Sequence, residues 1–260
     1  MGKVLLVLLL IAVVVVVWIA YPHVRARIPD DFQKLTGDQR VARARQARGK
    51  IIRRKFADAG LNYPAREVLI RIFKREAVLE LWVREADEPF RLVTSWPILA
   101  SSGKPGPKRR EGDRQVPEGF YEIDRFNPES LYHLSLRLNY PNASDRILAD
   151  REHPGSDIFI HGKDVTIGCA PIGDEAIEEL YLAALDMRDR SPGHLPVHIF
   201  PARMMGADWK SFAAQATARD PALTGFWEQL QAGYEAFERD RRVPEITVAQ
   251  DGSYQVTPGQ

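Results

Sequence analysis

The sequence predicts a mainly β domain with flanking helices, an α+β fold, preceded by an apolar N-terminal segment. Short alternating apolar runs follow one another from Tyr63 onward, helical periodicity comes later, and a long uncharged run stands first. The chain has 260 residues, of which 45% are hydrophobic and 27% are charged. This globular composition excludes collagen-like and wholly disordered classes.

The first segment is long and apolar enough to cross a bilayer. Val4–Tyr21 holds eighteen residues without a charge, which as a helix would span about 27 Å. Trp18 puts a bulky side chain where a signal-peptide cleavage site needs a small one. We therefore expect residues 1–22 to be a transmembrane anchor or signal segment, with the uncleaved anchor favoured.

The next segment, residues 23–62, is predicted to be a basic linker with a short helix. Between Arg25 and Lys55 it carries eleven Lys/Arg and three Asp/Glu. A solvated, partly helical stalk is the plainer interpretation. Contact with anionic lipid headgroups or with an anionic polymer is the alternative.

Residues 63–250 are predicted to form one β-rich domain. The clearest strand has Leu79, Leu81 and Val83 on one face, as a half-buried strand requires. The predicted strands are Arg66–Lys74, Ala77–Arg84, Arg91–Trp96, Gly119–Ile123, Tyr132–Leu138, Asp157–His161 and Leu195–Phe200.

Two helices and a hairpin complete the pattern. One helix starts at Asp174-Glu175, where acidic residues suit the positive end of a helix, and the other starts at Asp220-Pro221. The last element is a hairpin that turns at Asp251-Gly252 and leads into the tail, residues 251–260.

Charge and cysteine content limit the possible partners. The chain has 36 Lys/Arg against 35 Asp/Glu, a formal charge of +1, so no global field attracts nucleic acid. Cys169 is the single cysteine, so it cannot form an intrachain disulfide, and no Cys/His pattern typical of zinc sites is present. The sequence predicts no metal and no cofactor.

Cys169 and His161 are the candidate catalytic residues. A cysteine attacks a carbonyl as the thiolate and not as the thiol, so a catalytic cysteine needs a base. His161, which ends a predicted strand eight residues before Cys169, is the candidate base. Gly168, together with Thr166, would let the backbone turn sharply and aim amide N–H groups at an oxyanion. A buried inert cysteine and a core histidine are the alternative, and the residues alone do not decide between them.

The segment Ile158–Leu180 resembles the catalytic motif of the L,D-transpeptidase (YkuD-type) family, in particular its YafK-like murein branch. In that family, His-Gly at a strand end precedes Ser/Thr-x-Gly-Cys. Four further stretches resemble the same branch: Gly106–Tyr121, Phe126–Arg146, Gly173–Tyr181 and Val197–Met204. The resemblance covers most of the chain from Tyr63 to Pro244.

The resemblance implies a YkuD-like β-sandwich catalytic domain acting on peptidoglycan stem peptides. It implies Cys169 as nucleophile and His161 as general base. Two residues depart from the family pattern, because Ile167 replaces a second histidine and Pro171 replaces an arginine. Arg203 or Arg146 could supply the missing positive charge, although an ordinary ion pair is the plainer interpretation of both. His133 could line the cleft or be a strand histidine.

Three functions stay open at this stage. The thioester could pass to an amine, as in an L,D-transpeptidase, or to water, as in a murein amidase that releases a wall-linked lipoprotein. A membrane-tethered, non-catalytic peptidoglycan-binding module is the third, motivated by Ile167 and Pro171. We expect a periplasmic or cell-surface location, anchored to the inner membrane by residues 4–21. The basic residues Arg25 and Arg27 after the span favour instead a cytoplasmic enzyme at the inner face.

Overall fold

The computed structural model describes residues 30–259, and the predicted anchor over residues 4–21 lies outside them. Across the described part, each helix is too short or too polar to traverse a bilayer. The helices are α1 Asp30–Gln33, α2 Gly37–Asp58, α3 Ala143–Leu148, α4 Asp174–Arg190, α5 Gly206–Arg219 and α6 Leu223–Asp240. The strands are β1 Glu67–Phe73, β2 Val78–Arg84, β3 Arg91–Pro97, β4 Gly119–Asn127, β5 Ser135–Leu138, β6 Phe159–His161, β7 Ala170–Pro171, β8 Pro196–Phe200, β9 Glu245–Val248 and β10 Tyr254–Thr257.

Eight strands form one curled sheet in the order β3-β2-β1-β8-β4-β5-β6-β7. Strand β4 joins its two halves, because Gly119–Glu122 pair with β8 whereas Ile123–Asn127 pair with β5 across a bulge. The two edges approach each other, since the Leu99 amide just after β3 donates to the carbonyl of Pro171 in β7. The predicted β-sandwich is therefore formed by a single sheet that curls over on itself.

Both faces of the sheet are covered by helices, and β1 shows this directly. Val68, Ile70 and Ile72 join the core cluster that also contains buried residues of α2 and α4. Phe73, on the opposite face, packs in a second cluster with residues of α5 and α6. Because successive side chains of a strand point to opposite faces, a strand buried on both sides is apolar almost throughout.

The basic segment predicted as a linker contains a helix that is packed onto the domain. Helix α2 begins with a capping box at Thr36 and buries Ile52 and Phe56 in the first cluster. On its polar side, Lys55 Nζ lies 2.6 Å from the Glu179 carboxylate of α4. The described part of the segment 23–62 thus contributes to the same core as the strands.

The structure also has elements that the periodicity did not predict. Helix α5 buries only Trp209, so it lacks the repeated apolar stripe that identifies a helix in a sequence. The predicted strand Tyr132–Leu138 is shorter at its start, because β5 begins at Ser135. His133 has a positive φ of 77°, which is incompatible with an extended strand.

Burial of His198 predicts a loss of stability in acid. Burial, reinforced by the Arg71 guanidinium, lowers the pKa of His198 to about 3. Below the unfolded pKa near 6.5 only the unfolded chain takes up this proton, so stability falls as pH drops from about 6.5 toward 3. Between pH 6.5 and 4.5, we expect the free energy of unfolding of His198→Phe to fall by about 2–3 kcal/mol less than that of the parent. The measurement is urea unfolding at both pH values.

A matched histidine provides the control for this prediction. His153 is largely exposed, with a side chain 72% accessible, so His153→Gln should leave the pH dependence unchanged. Burial raises the pKa of Asp145 to about 6, so protonation of this carboxyl stabilises the folded state as the pH falls. This contribution is the same in the parent and in both variants, so it cancels in the comparison. Equal acid losses in the parent and in His198→Phe would contradict the prediction.

Candidate active site

Strands β6 and β7 place Cys169 and His161 on the same face of the sheet. The two strands are parallel, with Ile160 opposite Ala170, and both of these side chains point into the first core cluster. His161 and Cys169 are each one residue away from this pair, so they lie on the other face. The register also sets the thiol beside β6, where Phe159 makes a backbone hydrogen bond to it.

The His161 ring is held in the tautomer that a base requires. Its Nδ1 lies 2.5 Å from the carbonyl oxygen of Gly162. A carbonyl only accepts, so Nδ1 carries the proton and Nε2 of the neutral ring is the basic nitrogen. Burial lowers the pKa of His161, although the Gly162 hydrogen bond and Asp174 oppose the shift. The ring is therefore neutral at physiological pH and able to accept a proton.

The Cys169 thiol is half-buried and uncharged at neutral pH. Burial raises its pKa, a backbone hydrogen bond from Phe159 lowers it, Asp157 raises it and the Lys108 ammonium lowers it. The balance leaves the pKa above its ordinary value. A proton must consequently be removed before the sulfur can attack, and His161 is the neutral base on the same face.

The Thr166 hydroxyl fixes the loop that carries the thiol. Its Oγ1 accepts from the amides of Gly168 at 3.1 Å and Cys169 at 2.7 Å, and it donates to the Cys169 carbonyl at 2.8 Å. The sequence predicted that these amides point at an oxyanion. In this structure the Thr166 hydroxyl occupies both, so an oxyanion would have to take its place.

Two glycines are required by close packing at the site. A Cβ on Gly162 would lie 2.6 Å from Asp174 Oδ1 and 2.7 Å from the Tyr132 carbonyl oxygen. Gly168 has a φ of +134° and would bring a Cβ to 3.1 Å from the Gln115 carbonyl oxygen. Larger residues at these positions would push apart the strand ends that carry His161 and Cys169.

Several site residues were not found from the sequence, because distant segments contribute them. The Tyr132 ring lies 4.7 Å from the His161 ring, centroid to centroid. Ser135 is directly opposite His161 in the β5–β6 register, and its buried hydroxyl has no hydrogen-bond partner among the described residues. Lys108 is electrostatically coupled to the thiol. They lie in stretches that resemble the family branch, but nothing local in the sequence singles them out as site residues.

The three predicted substrate-binding residues have separate environments. His133 is 6% exposed, stacks on Phe32, and its Nε2 lies 2.7 Å from the Glu178 carboxylate. Arg203 lies over the Phe73 ring and pairs with Glu80 at 2.5 Å. These contacts give both side chains a packing role.

Arg146 differs from these two in its surroundings. It lies on α3 and is exposed, and it forms no ion pair with a described carboxylate. Over residues 30–259, no group of three or more His, Cys, Asp or Glu side chains is arranged to hold a metal ion.

Removing the Thr166 hydroxyl should slow acylation of the thiol. Valine has nearly the same shape but makes none of the three hydrogen bonds that hold residues 166–169 in place, so the loop would no longer keep the thiol positioned for attack. We expect Thr166→Val to form a thiol adduct about tenfold more slowly than the parent, measured by intact mass over time. Thr166→Ser keeps the hydroxyl and should react at the parent rate. An undiminished rate in Thr166→Val would refute this role.

The fold and the sequence together define the class of domain to which the chain belongs. Residues 68–199 match the model of the YkuD family, described as the L,D-transpeptidase catalytic domain. The match covers β1 through most of β8 and includes both candidate catalytic residues. The chain belongs to this family.

A curated relative supports the assignment over a longer stretch. The chain is 35% identical over 192 residues to the YafK protein of Escherichia coli (strain K12), whose name assigns it provisionally to the L,D-transpeptidases. The alignment covers 73% of this chain and 74% of that protein. The YafK protein of Escherichia coli O157:H7 matches to the same extent.

Two solved structures also align with this chain over part of their length. The helical cell shape determining protein Pgp2 from Campylobacter jejuni aligns with a TM-score of 0.43 and 18% identity, covering 76% of this chain and 80% of that one. Bd1075 of Bdellovibrio bacteriovorus aligns with a TM-score of 0.38 and 22% identity, covering 67% of this chain and 61% of that one.

Proposed function

We propose that this protein is a cysteine-dependent L,D-transpeptidase that acts on peptidoglycan stem peptides. The observation that carries the proposal is the shared sheet face of Cys169 and His161, with His161 Nδ1 bound to the Gly162 carbonyl. Membership of the YkuD family supplies the substrate class.

The chemistry follows from the resting states of the two groups, a neutral thiol and a neutral imidazole. His161 Nε2 takes the thiol proton as Cys169 Sγ attacks a peptide carbonyl carbon, and a C–S bond forms. The tetrahedral intermediate collapses, the C–N bond breaks, and the imidazolium gives its proton to the leaving amine. In the second half, an incoming nucleophile loses its proton to His161, and the C–S bond breaks to restore the thiol. The amides of Gly168 and Cys169 are the nearest donors for the oxyanion once they exchange with Thr166 Oγ1.

The second half of the reaction determines the class of product. An amine nucleophile gives a cross-link or attaches a lipoprotein, whereas water gives hydrolysis, as in an amidase that releases wall-linked lipoprotein. Substrate chemistry requires a periplasmic or cell-surface location, with residues 4–21 as the proposed inner-membrane anchor.

Purified murein treated with the full-length chain in mild detergent tests the proposal. We expect new cross-linked dimers, resolved by mass spectrometry of the released muropeptides. Shortened stems or freed peptides without new dimers would establish a hydrolase instead. Unchanged muropeptides, together with a thiol no more reactive toward a carbapenem than free cysteine, would leave the wall-binding module.

A reporter tests the location separately. A periplasm-active reporter fused after Gln260 should be active in cells. Activity only of a cytoplasmic reporter would overturn the proposed location without bearing on the thiol chemistry.

A further inference from the structure

Three cavities meet around Lys104 and Pro105. Their volumes are about 640, 320 and 230 Å³, and Lys104 and Pro105 line all three. Together they form the Pro105 groove, which lies between residues 103–115, helix α5 and the start of α6. Helices α5 and α6 follow residue 199, so one side of the groove lies beyond the stretch that matches the YkuD family.

The loop that forms the other side is rigidly braced. Lys74 Nζ donates to the carbonyls of Gly106 and Val116 at 3.1 and 2.9 Å and pairs with Glu118 Oε1 at 2.9 Å. The Glu118 carboxylate also accepts from the Gly106 amide and from Trp227 Nε1 of α6, both at 2.7 Å. Because these groups are buried and mutually satisfied, the groove is formed before any ligand arrives.

The groove is strongly basic. Six basic residues and two acidic residues line the three cavities. The acidic Asp113 is already engaged by Lys108 at 2.5 Å. By contrast, Lys104, Arg110 and Arg219 are exposed, and none of them pairs with a described carboxylate. Unpaired cations along a preformed groove favour a ligand that carries several carboxylates.

Gln115 connects the groove to the thiol. Its side chain lines the largest cavity and hydrogen-bonds to the Lys104 amide at 2.5 Å and to the Gly106 carbonyl at 3.3 Å. Its backbone oxygen faces Gly168, next to Cys169. Gln115 therefore contacts both the groove and the loop that carries the thiol.

We infer that the Pro105 groove binds the carboxylate-bearing stem peptide of a second peptidoglycan strand. This inference rests on the proposed function, since it gives the acceptor strand its own site. Lys104, Arg110 and Arg219 contact the carboxylates of that peptide. Its amine then approaches the Cys169 thioester past Gln115.

Binding is measured separately from chemistry by using full-length Cys169→Ala in mild detergent. Calorimetric titration with a soluble stem tetrapeptide should show binding at least about tenfold weaker when Lys104, Arg110 and Arg219 are all replaced by glutamine, since three charge-assisted contacts are lost. Lys50→Gln, an exposed cation on α2, should bind like the parent. A tetrapeptide with amidated carboxylates should bind the parent and the triple variant equally weakly.

Two outcomes would overturn the inference. One is equal affinity of the parent and the triple variant for the tetrapeptide. The other is a preference for inorganic polyphosphate over the tetrapeptide, which would assign the groove to a different anion. Carbapenem adduct formation by the parent, with Cys169 intact, tests the proposed function independently of the groove. If the parent forms no adduct, the proposed function fails, while the titration on Cys169→Ala still decides the groove.

Discussion

Cys169→Ala should abolish the conversion of muropeptides, lowering the rate by at least about 1,000-fold. Alanine has no atom that can form the thioester, and no second cysteine exists in the chain to replace it. The measurement is the appearance of new muropeptides from murein over time, together with intact mass after carbapenem treatment. The variant should show neither product nor adduct.

A second variant separates nucleophilicity from packing. Cys169→Ser keeps a side chain of similar shape, but its hydroxyl ionises far less readily than a thiol, so it should be nearly as inactive. Both variants should melt within a few degrees of the parent, because the thiol is only half-buried. New muropeptides formed by well-folded Cys169→Ala would exclude the proposed nucleophile and require another residue in its place.

The sequence was sufficient to predict most strands of the large sheet. Alternation in Val78–Arg84 and apolar continuity in Glu67–Phe73 are local signals, and both strands formed where predicted. A short return separates His161 from Cys169, and pairing of Ile160 with Ala170 sets the two backbone segments side by side. Contacts of this kind depend on neighbours in sequence, which periodicity and turn residues can reveal.

The remainder of the site depends on contacts between distant segments. Glu118 meets Lys74 and Trp227, which are 44 and 109 residues away along the chain. Thr166 accepts hydrogen bonds from two amides that are close in sequence. The same motif would also allow those amides to bind an oxyanion. A sequence shows which groups can form hydrogen bonds, whereas the choice between satisfied alternatives depends on tertiary packing.

His161→Gln should slow adduct formation at Cys169 by about 100-fold or more at pH 7, the usual contribution of a general base. Burial raises the pKa of the thiol and lowers that of the imidazole, so the resting pair is neutral rather than a thiolate-imidazolium pair. The sulfur then depends on transfer of its proton to Nε2 during attack. A preformed ion pair would need the opposite order of pKa values.

The pH profile separates this role from a structural one. The parent rate should fall only as pH drops through the lowered pKa of His161, below that of free imidazole, because a protonated ring cannot accept a proton. In His161→Gln this acidic limb should vanish, and the rate should rise only as alkaline pH ionises the thiol directly. His153→Gln should keep the parent profile. If His161→Gln keeps both the acidic limb and the parent rate, another residue is the base. If its rate falls equally at every pH, the substitution has only disturbed packing.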